Sequence, residues 1–172
     1  MTRNSLPTDT DTQTPRSSIT RVILDGEALT RLSPLQEADR AQAVTDLEVE
    51  NTFRPVGASA HLQPPFLLHL SIVEGRLVFD IRDPADQPLL AVGLALGPFR
   101  GLIKDYQLLV DSYVQAVQEG REARIQAIDM GRRGLHNEGA ELMMQRLAGK
   151  VEIDFQTARR LFTLVCVLHQ RI

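Results

Sequence analysis

At 172 residues with a formal charge of −3, the chain has room for one domain with a real core and lacks the basic field that general nucleic-acid binding requires. Hydrophobic residues at 43% and charged residues at 24% are near globular averages, which excludes a wholly disordered or fibrous chain. The single cysteine, Cys166, excludes an intrachain disulfide and a cysteine-rich zinc site. The longest apolar runs are far too short to span a membrane, and the N-terminus has no apolar signal core, so a soluble cytoplasmic protein is expected.

Residues 1–18 are rich in Thr, Ser, Asp and Pro and are predicted to be a disordered tail, with a single α+β domain over 19–172. Ile19–Leu24 reads as a strand closed by the turn-forming Asp25-Gly26. Ser33-Pro34-Leu35-Gln36 is a helix start: the hydroxyl can cap, Pro34 fits the first turn, and Gln36 sits where a capping box places Glu or Gln. Leu35, Ala38, Val44 and Leu47, with Ala41 as a further member, mark the expected buried stripe, and residues 55–65 read as a loop.

Leu67–Val73 and Arg76–Arg82 both alternate, and Glu74-Gly75 between them suits a two-residue hairpin. Opposed residues then have numbers summing to 149. Leu68 faces Ile81, Leu70 faces Phe79 and Ile72 faces Leu77 on one apolar side; His69 lies opposite Asp80 on the other. A slip of one residue would destroy that match. A polar turn at 83–88 leads to a third alternating strand, Leu89–Leu96. Its small residues Ala91, Gly93 and Ala95 would allow close approach by a helix or, less readily, a ligand.

From Phe99 the period changes to 3.6. Leu102, Ile103, Tyr106, Leu109, Val110, Tyr113, Val114 and Val117 form one long stripe, stopped at Gly120. A second helix runs from Arg121 into the glycine-rich segment 128–139, a third covers Ala140–Leu147, and Asp154 can cap a last, central helix carrying Phe155, Ala158, Leu161, Phe162, Val165 and Leu168. Strands first and helices afterwards predict an antiparallel sheet of about four strands, with one early helix, packed against about four C-terminal helices.

Residues 128–139, Ile-Asp-Met-Gly-Arg-Arg-Gly-Leu-His-Asn-Glu-Gly, combine three glycines with six polar or charged groups. As a binding site, Arg132 and Arg133 with free backbone amides would suit a phosphate or carboxylate. Asn137 and Glu138 would orient it, and His136 could transfer a proton. As a helix–loop–helix corner, Gly134 would be a left-handed C-cap, Asp129 would pair with Arg133, and Asn137 would cap the next helix. The two readings are compatible. The segment lacks the spacing of a Walker or dinucleotide loop. His136-Asn-Glu138 has the His-x-Glu of zinc deaminases without their Pro-Cys-x-x-Cys. Glu138 and Glu141 with His136 are a weak divalent-ion set, so neither a metal nor a cofactor is expected. His69 and Asp80 form a secondary candidate pair. Cys166 reads as a buried inert thiol, and Arg159-Arg160 as one buried ion-pair partner and one solvated charge.

Phe79-Asp-Ile-Arg-Asp83, Lys104-Asp105-Tyr106, the whole of 128–139, and Val151-Glu-Ile-Asp-Phe-Gln-Thr-Ala-Arg-Arg-Leu-Phe-Thr-Leu-Val-Cys-Val-Leu-His169 resemble uncharacterised protein family 0262, small bacterial proteins found mainly in alphaproteobacteria. The resemblance covers about residues 19–172 and implies a bacterial single-domain protein, with no activity or cofactor attached. The residues themselves favour a non-enzymatic cytoplasmic binding protein whose segment 128–139 recognises an anionic small molecule or an acidic protein surface, with no nucleic-acid or membrane partner. The alternative is a small enzyme using His136 with Glu138 or Asp129 as acid–base groups. A homo-oligomer built on the final apolar helix is a third reading.

Overall fold

In the computed structural model, which describes residues 17–26 and 32–169, the elements follow as β1 (Ile19–Asp25), α1 (Pro34–Val49), β2 (Phe53–Pro55), β3 (Phe66–Val73), β4 (Arg76–Arg82), β5 (Pro88–Ala95), α2 (Arg100–Glu119), α3 (Glu122–Leu147), β6 (Val151–Ile153) and α4 (Phe155–Leu168). The α+β class is the one expected. The part of the expected tail at 1–16 lies outside the described residues. Ser17 and Ser18 belong to the folded part: buried Asn51 accepts from the amides of Ser18 and Ile19, both at 3.0 Å, and donates to the Ile19 and Leu47 carbonyls at 2.7 Å.

The hairpin has the register its alternation dictates: Leu68↔Ile81, Leu70↔Phe79, Ile72↔Leu77, with His69 opposite Asp80. Glu74 and Gly75 both have positive φ, 51° and 72°, as a type I′ turn requires. Leu68, Leu70, Leu77, Phe79 and Ile81 are 0% exposed, so this face is the core side, each residue contributing roughly 2 kcal/mol of apolar burial.

Two expectations about the sheet need correction. The order is β1-β3-β4-β5, and β1 pairs with β3 in parallel, so the sheet is mixed. The reason is the early helix: α1 carries the chain back after β1, and a strand that follows such a crossover runs parallel to its predecessor. A second, two-stranded antiparallel sheet, β2 with β6, joins two short segments that have no alternation long enough to read.

The small-residue face of β5 is covered by no helix; Ala91 and Ala95 are exposed there. Arg76 occupies that space instead. Because Val73 and Arg76 close a two-residue turn, alternate β4 residues 77, 79 and 81 bond β5 through 94, 92 and 90, which turns the Gly93 carbonyl outward to the free edge. Arg76 crosses Gly93 and donates to that carbonyl at 3.3 Å; a Cβ at 93 would sit 3.3 Å from the guanidinium. A charged side chain over an edge strand hinders pairing with another chain.

The expected second and third C-terminal helices are one. α3 runs unbroken for 26 residues, about 39 Å, through Gly131, Gly134 and Gly139. Three helices therefore follow the sheet. Gly134 is not a C-cap, and Asn137 caps nothing. Gly139 explains part of this: a Cβ there would lie 2.3 Å from the Phe162 ring, so the glycine is what lets α3 and α4 approach so closely. α4 is central, with nine of its fourteen residues buried within the chain. In α1 the buried positions are Gln36, Ala43 and Leu47, whereas Ala38 and Ala41 are exposed. The capping box at Ser33 and Gln36 is formed, and Asp154 caps α4 through the Thr157 amide at 2.9 Å. Gly120 ends α2 in the left-handed conformation. Val114 and Val117, at the end of the α2 stripe, are 37% and 51% exposed because the α2–α3 hairpin continues past the core.

Candidate functional site

Three helices each turn one four-residue stripe toward a common cleft of about 380 Å³. From α1 come Asp39, Gln42, Ala43 and Asp46. From α3 come Asp129, Arg132, Arg133 and His136; from α4, Gln156, Arg159, Arg160 and Thr163. Each set has the spacing i, i+3, i+4, i+7, which is one face of a helix. The same spacing on the far side of α3 presents Gly131, Gly134, Leu135 and Glu138 to a separate groove beside Asp105, Leu108, Leu109 and Ser112 of α2.

The segment 128–139 is thus divided between two surfaces. Asp129, Arg132, Arg133 and His136 share the cleft, and Asn137 borders it through a 3.3 Å bond accepted from Arg159 Nε. Glu138 is exposed on the opposite face of α3, so the structure does not bring it together with His136. Among the described residues no group of His, Cys, Asp or Glu is placed to hold a metal ion.

A buried polar network forms the floor. Tyr106 donates to Asp39 Oδ2 at 2.9 Å, and Arg132 Nη2 meets Asp39 Oδ1 at 2.8 Å, so one carboxylate ties α1, α2 and α3 together. Burial first, and then Asp39, push the Tyr106 hydroxyl well above its ordinary pKa, so it acts only as a neutral donor. Asp129 lies 3.6 Å from Arg132 and forms no ion pair with Arg133. His136 is edge-on to both Tyr106 and Phe162, with centroids 6.0 and 5.9 Å apart. Its Nδ1 is 2.7 Å from the Arg132 carbonyl; a carbonyl only accepts, so this nitrogen carries the hydrogen. Burial is the main cause that lowers the His136 pKa, with Arg159 and Arg132 adding to it, which favours the neutral ring.

The cleft's cations are unevenly matched. Arg132 is held by Asp39 and Asp129. Arg160 donates to the carbonyls of Glu50, the C-cap of α1, and of Asp46 in its last turn, at 2.9 and 3.4 Å, closing that helix end. Arg133 and Arg159 have no ion pair among the described residues, contrary to the expected acidic partner for the 159–160 pair. Burial, then the charges of Arg133, Arg132 and Arg160, lower the Arg159 pKa, the mark of a guanidinium crowded by like charge. Asp39, Tyr106 and Arg159 belong to this site and were not among the residues the sequence nominated. A carboxylate at the position one turn from buried Gln36 and Ala43 was the available signal for Asp39.

The secondary pair is opposed but not bonded. His69 contacts Asp86 at 3.1 Å and Asp25 at 3.4 Å, while Asp80 is taken by Arg82 at 2.8 Å. His69 lies on the helix-free face of the sheet and His136 within the helical layer, so the two are not parts of one site. Cys166 is fully buried, as expected, and burial raises its pKa, which disfavours the reactive thiolate.

The fold and cleft define a small α+β domain with an arginine-lined hollow between three helices. The chain belongs to the uncharacterised protein family UPF0262, whose model matches residues 16–171. It is similar to a UPF0262 protein of Granulibacter bethesdensis, 70% identical over 93% of this chain and 94% of the relative. It is also similar to a UPF0262 protein of Acidiphilium cryptum, 61% identical over 91% and 94%, and to one of Bradyrhizobium diazoefficiens, 49% identical over 88% and 90%. The relatives are bacterial, mostly alphaproteobacterial. No solved structure matches the chain. Among the described residues no helix is long and apolar enough to cross a membrane.

Proposed function

We propose that the protein is a non-enzymatic cytoplasmic binding protein whose cleft between α1, α3 and α4 recognises an anionic small molecule. The observation that carries this reading is the pair Arg133 and Arg159, two guanidiniums facing one cleft without an ion pair among the described residues. Half-buried Arg159 is crowded by like charge that includes exposed Arg133, and an anion bound beside the two relieves that repulsion. A concave space of about 380 Å³ favours a small ligand over an acidic protein surface. The single buried free thiol is compatible with a reducing compartment.

Acid–base catalysis is the weaker reading. Glu138 faces away from His136, and Asp129, though in the cleft, is engaged by Arg132. Calorimetric titration with inorganic phosphate tests the proposal. Saturable binding should weaken at least tenfold in the double variant Arg133→Ala, Arg159→Ala, since charge-assisted hydrogen bonds of about 1.5–3 kcal/mol are lost. Unchanged affinity in that variant would contradict it.

A further inference from the structure

The floor of the cleft carries an acceptor, and this narrows what anion it takes; the inference rests on the anion-binding reading above. His136 Nδ1–H is committed to the Arg132 carbonyl at 2.7 Å. In a neutral imidazole the second nitrogen is then an acceptor. That nitrogen, Nε2, has no hydrogen-bond partner among the described residues, and His136 lines the cleft. Its ring cannot rotate freely to offer a donor instead, because Tyr106 and Phe162 stand edge-on against it. Arg159, one of the two cations without an ion pair among the described residues, lines the same cleft as His136. Asp46, bonded by Gln42 Nε2 at 2.8 Å, adds a carboxylate on the α1 wall.

An anion held by Arg133 and Arg159 shares the cleft with these acceptors. A fully deprotonated oxyanion would present lone pairs to lone pairs there. We propose that the cleft selects an oxyanion that carries its own proton or hydroxyl, as inorganic phosphate or a small phosphorylated alcohol does at neutral pH, and rejects sulfate. Phosphate and sulfate have nearly the same size and shape, so the discrimination comes from one hydrogen: phosphate O–H donates to His136 Nε2, and sulfate leaves that acceptor unpaired. An unmatched polar group of this kind corresponds to a preference of about tenfold.

The test is a set of calorimetric titrations at one pH and ionic strength, with inorganic phosphate, sulfate and glycerol phosphate as probes. The wild-type protein should bind phosphate about tenfold more tightly than sulfate. His136→Phe keeps the ring packing and removes the acceptor, so its sulfate affinity should persist while the preference disappears. His136→Gln, whose carbonyl can accept, should retain part of it. Tighter binding of glycerol phosphate than of inorganic phosphate would identify the phosphorylated alcohol as the source; the reverse order would identify the free ion. Equal wild-type affinity for phosphate and sulfate, or a preference that survives in His136→Phe, would overturn the inference and leave the anion site standing. Binding by neither ion, or binding indifferent to Arg133 and Arg159, would remove both. Should His136→Phe fail to fold, the wild-type comparison and His136→Gln decide the matter.

Discussion

The β3–β4 hairpin and the stretch 128–139 of α3 are two short segments rich in turn-forming or flexible residues, and they behave in opposite ways. In the hairpin, Glu74-Gly75 takes the positive φ values that a two-residue turn demands, and every flanking pair follows. In α3, three glycines in nine positions form no turn at all. The difference lies in where the deciding interaction sits. The turn is settled within four residues, whereas the helix is settled by what its faces meet: Phe162 on one side, the Asp39–Arg132 pair on another. Local chemistry governs a segment only when no distant contact outweighs it.

Substitutions should separate these cases. The largest effect is expected at Gly139, where alanine collides with Phe162. Gly139→Ala should destabilise the protein by about 3 kcal/mol in denaturant unfolding, as overpacking does, despite the gain in helix propensity. A neutral result would mean that α3 and α4 are held less closely. Next, Asp39→Ala strands both Tyr106 and Arg132 in a largely buried place and should cost about 2 kcal/mol. Asp39→Asn should recover part of that, since the amide oxygen can still accept.

Gly131 and Gly134 sharpen the comparison with the opposite sign. A Cβ at 131 would make only an ordinary 3.6 Å contact with Leu109, and at 134 it would meet nothing within 4 Å. Each alanine substitution should therefore stabilise the protein by about 1 kcal/mol. Destabilisation at either position would show that α3 bends or breaks there. The smallest effect in stability is expected from Arg76→Ala, which uncovers the outward Gly93 carbonyl. Its unfolding midpoint should barely move, while sedimentation at rising concentration should reveal more self-association than the parent shows. Identical sedimentation would remove the edge-guarding role.

The same contrast explains what was legible in the sequence. The hairpin register, the Ser33 capping box, the Gly120 stop and the Asp154 cap are all set by residues within a few positions of one another, and all were readable. The parallel placement of β1 depends on the path of α1, and the β2–β6 pair joins residues about 98 apart, so neither leaves a local pattern. The candidate site was half visible. Arg132, Arg133 and His136 stood out by their density, but the continuity of α3 placed Glu138 on the other side. Asp39 and Arg159 came to the cleft from helices that the sequence alone could not bring together.

The central claim is that one face of α3, joined by α1 and α4, binds an anion, and that the opposite face does not. Titrating isotopically labelled protein with inorganic phosphate and following amide and arginine Nε–H resonances by NMR tests both halves at once. Saturable shifts should appear at the side chains of Arg133 and Arg159 and at the amides around His136, while Leu108, Gly134 and Glu138 stay in place. Shifts spread evenly over both faces, or confined to the α2 side, would contradict the account.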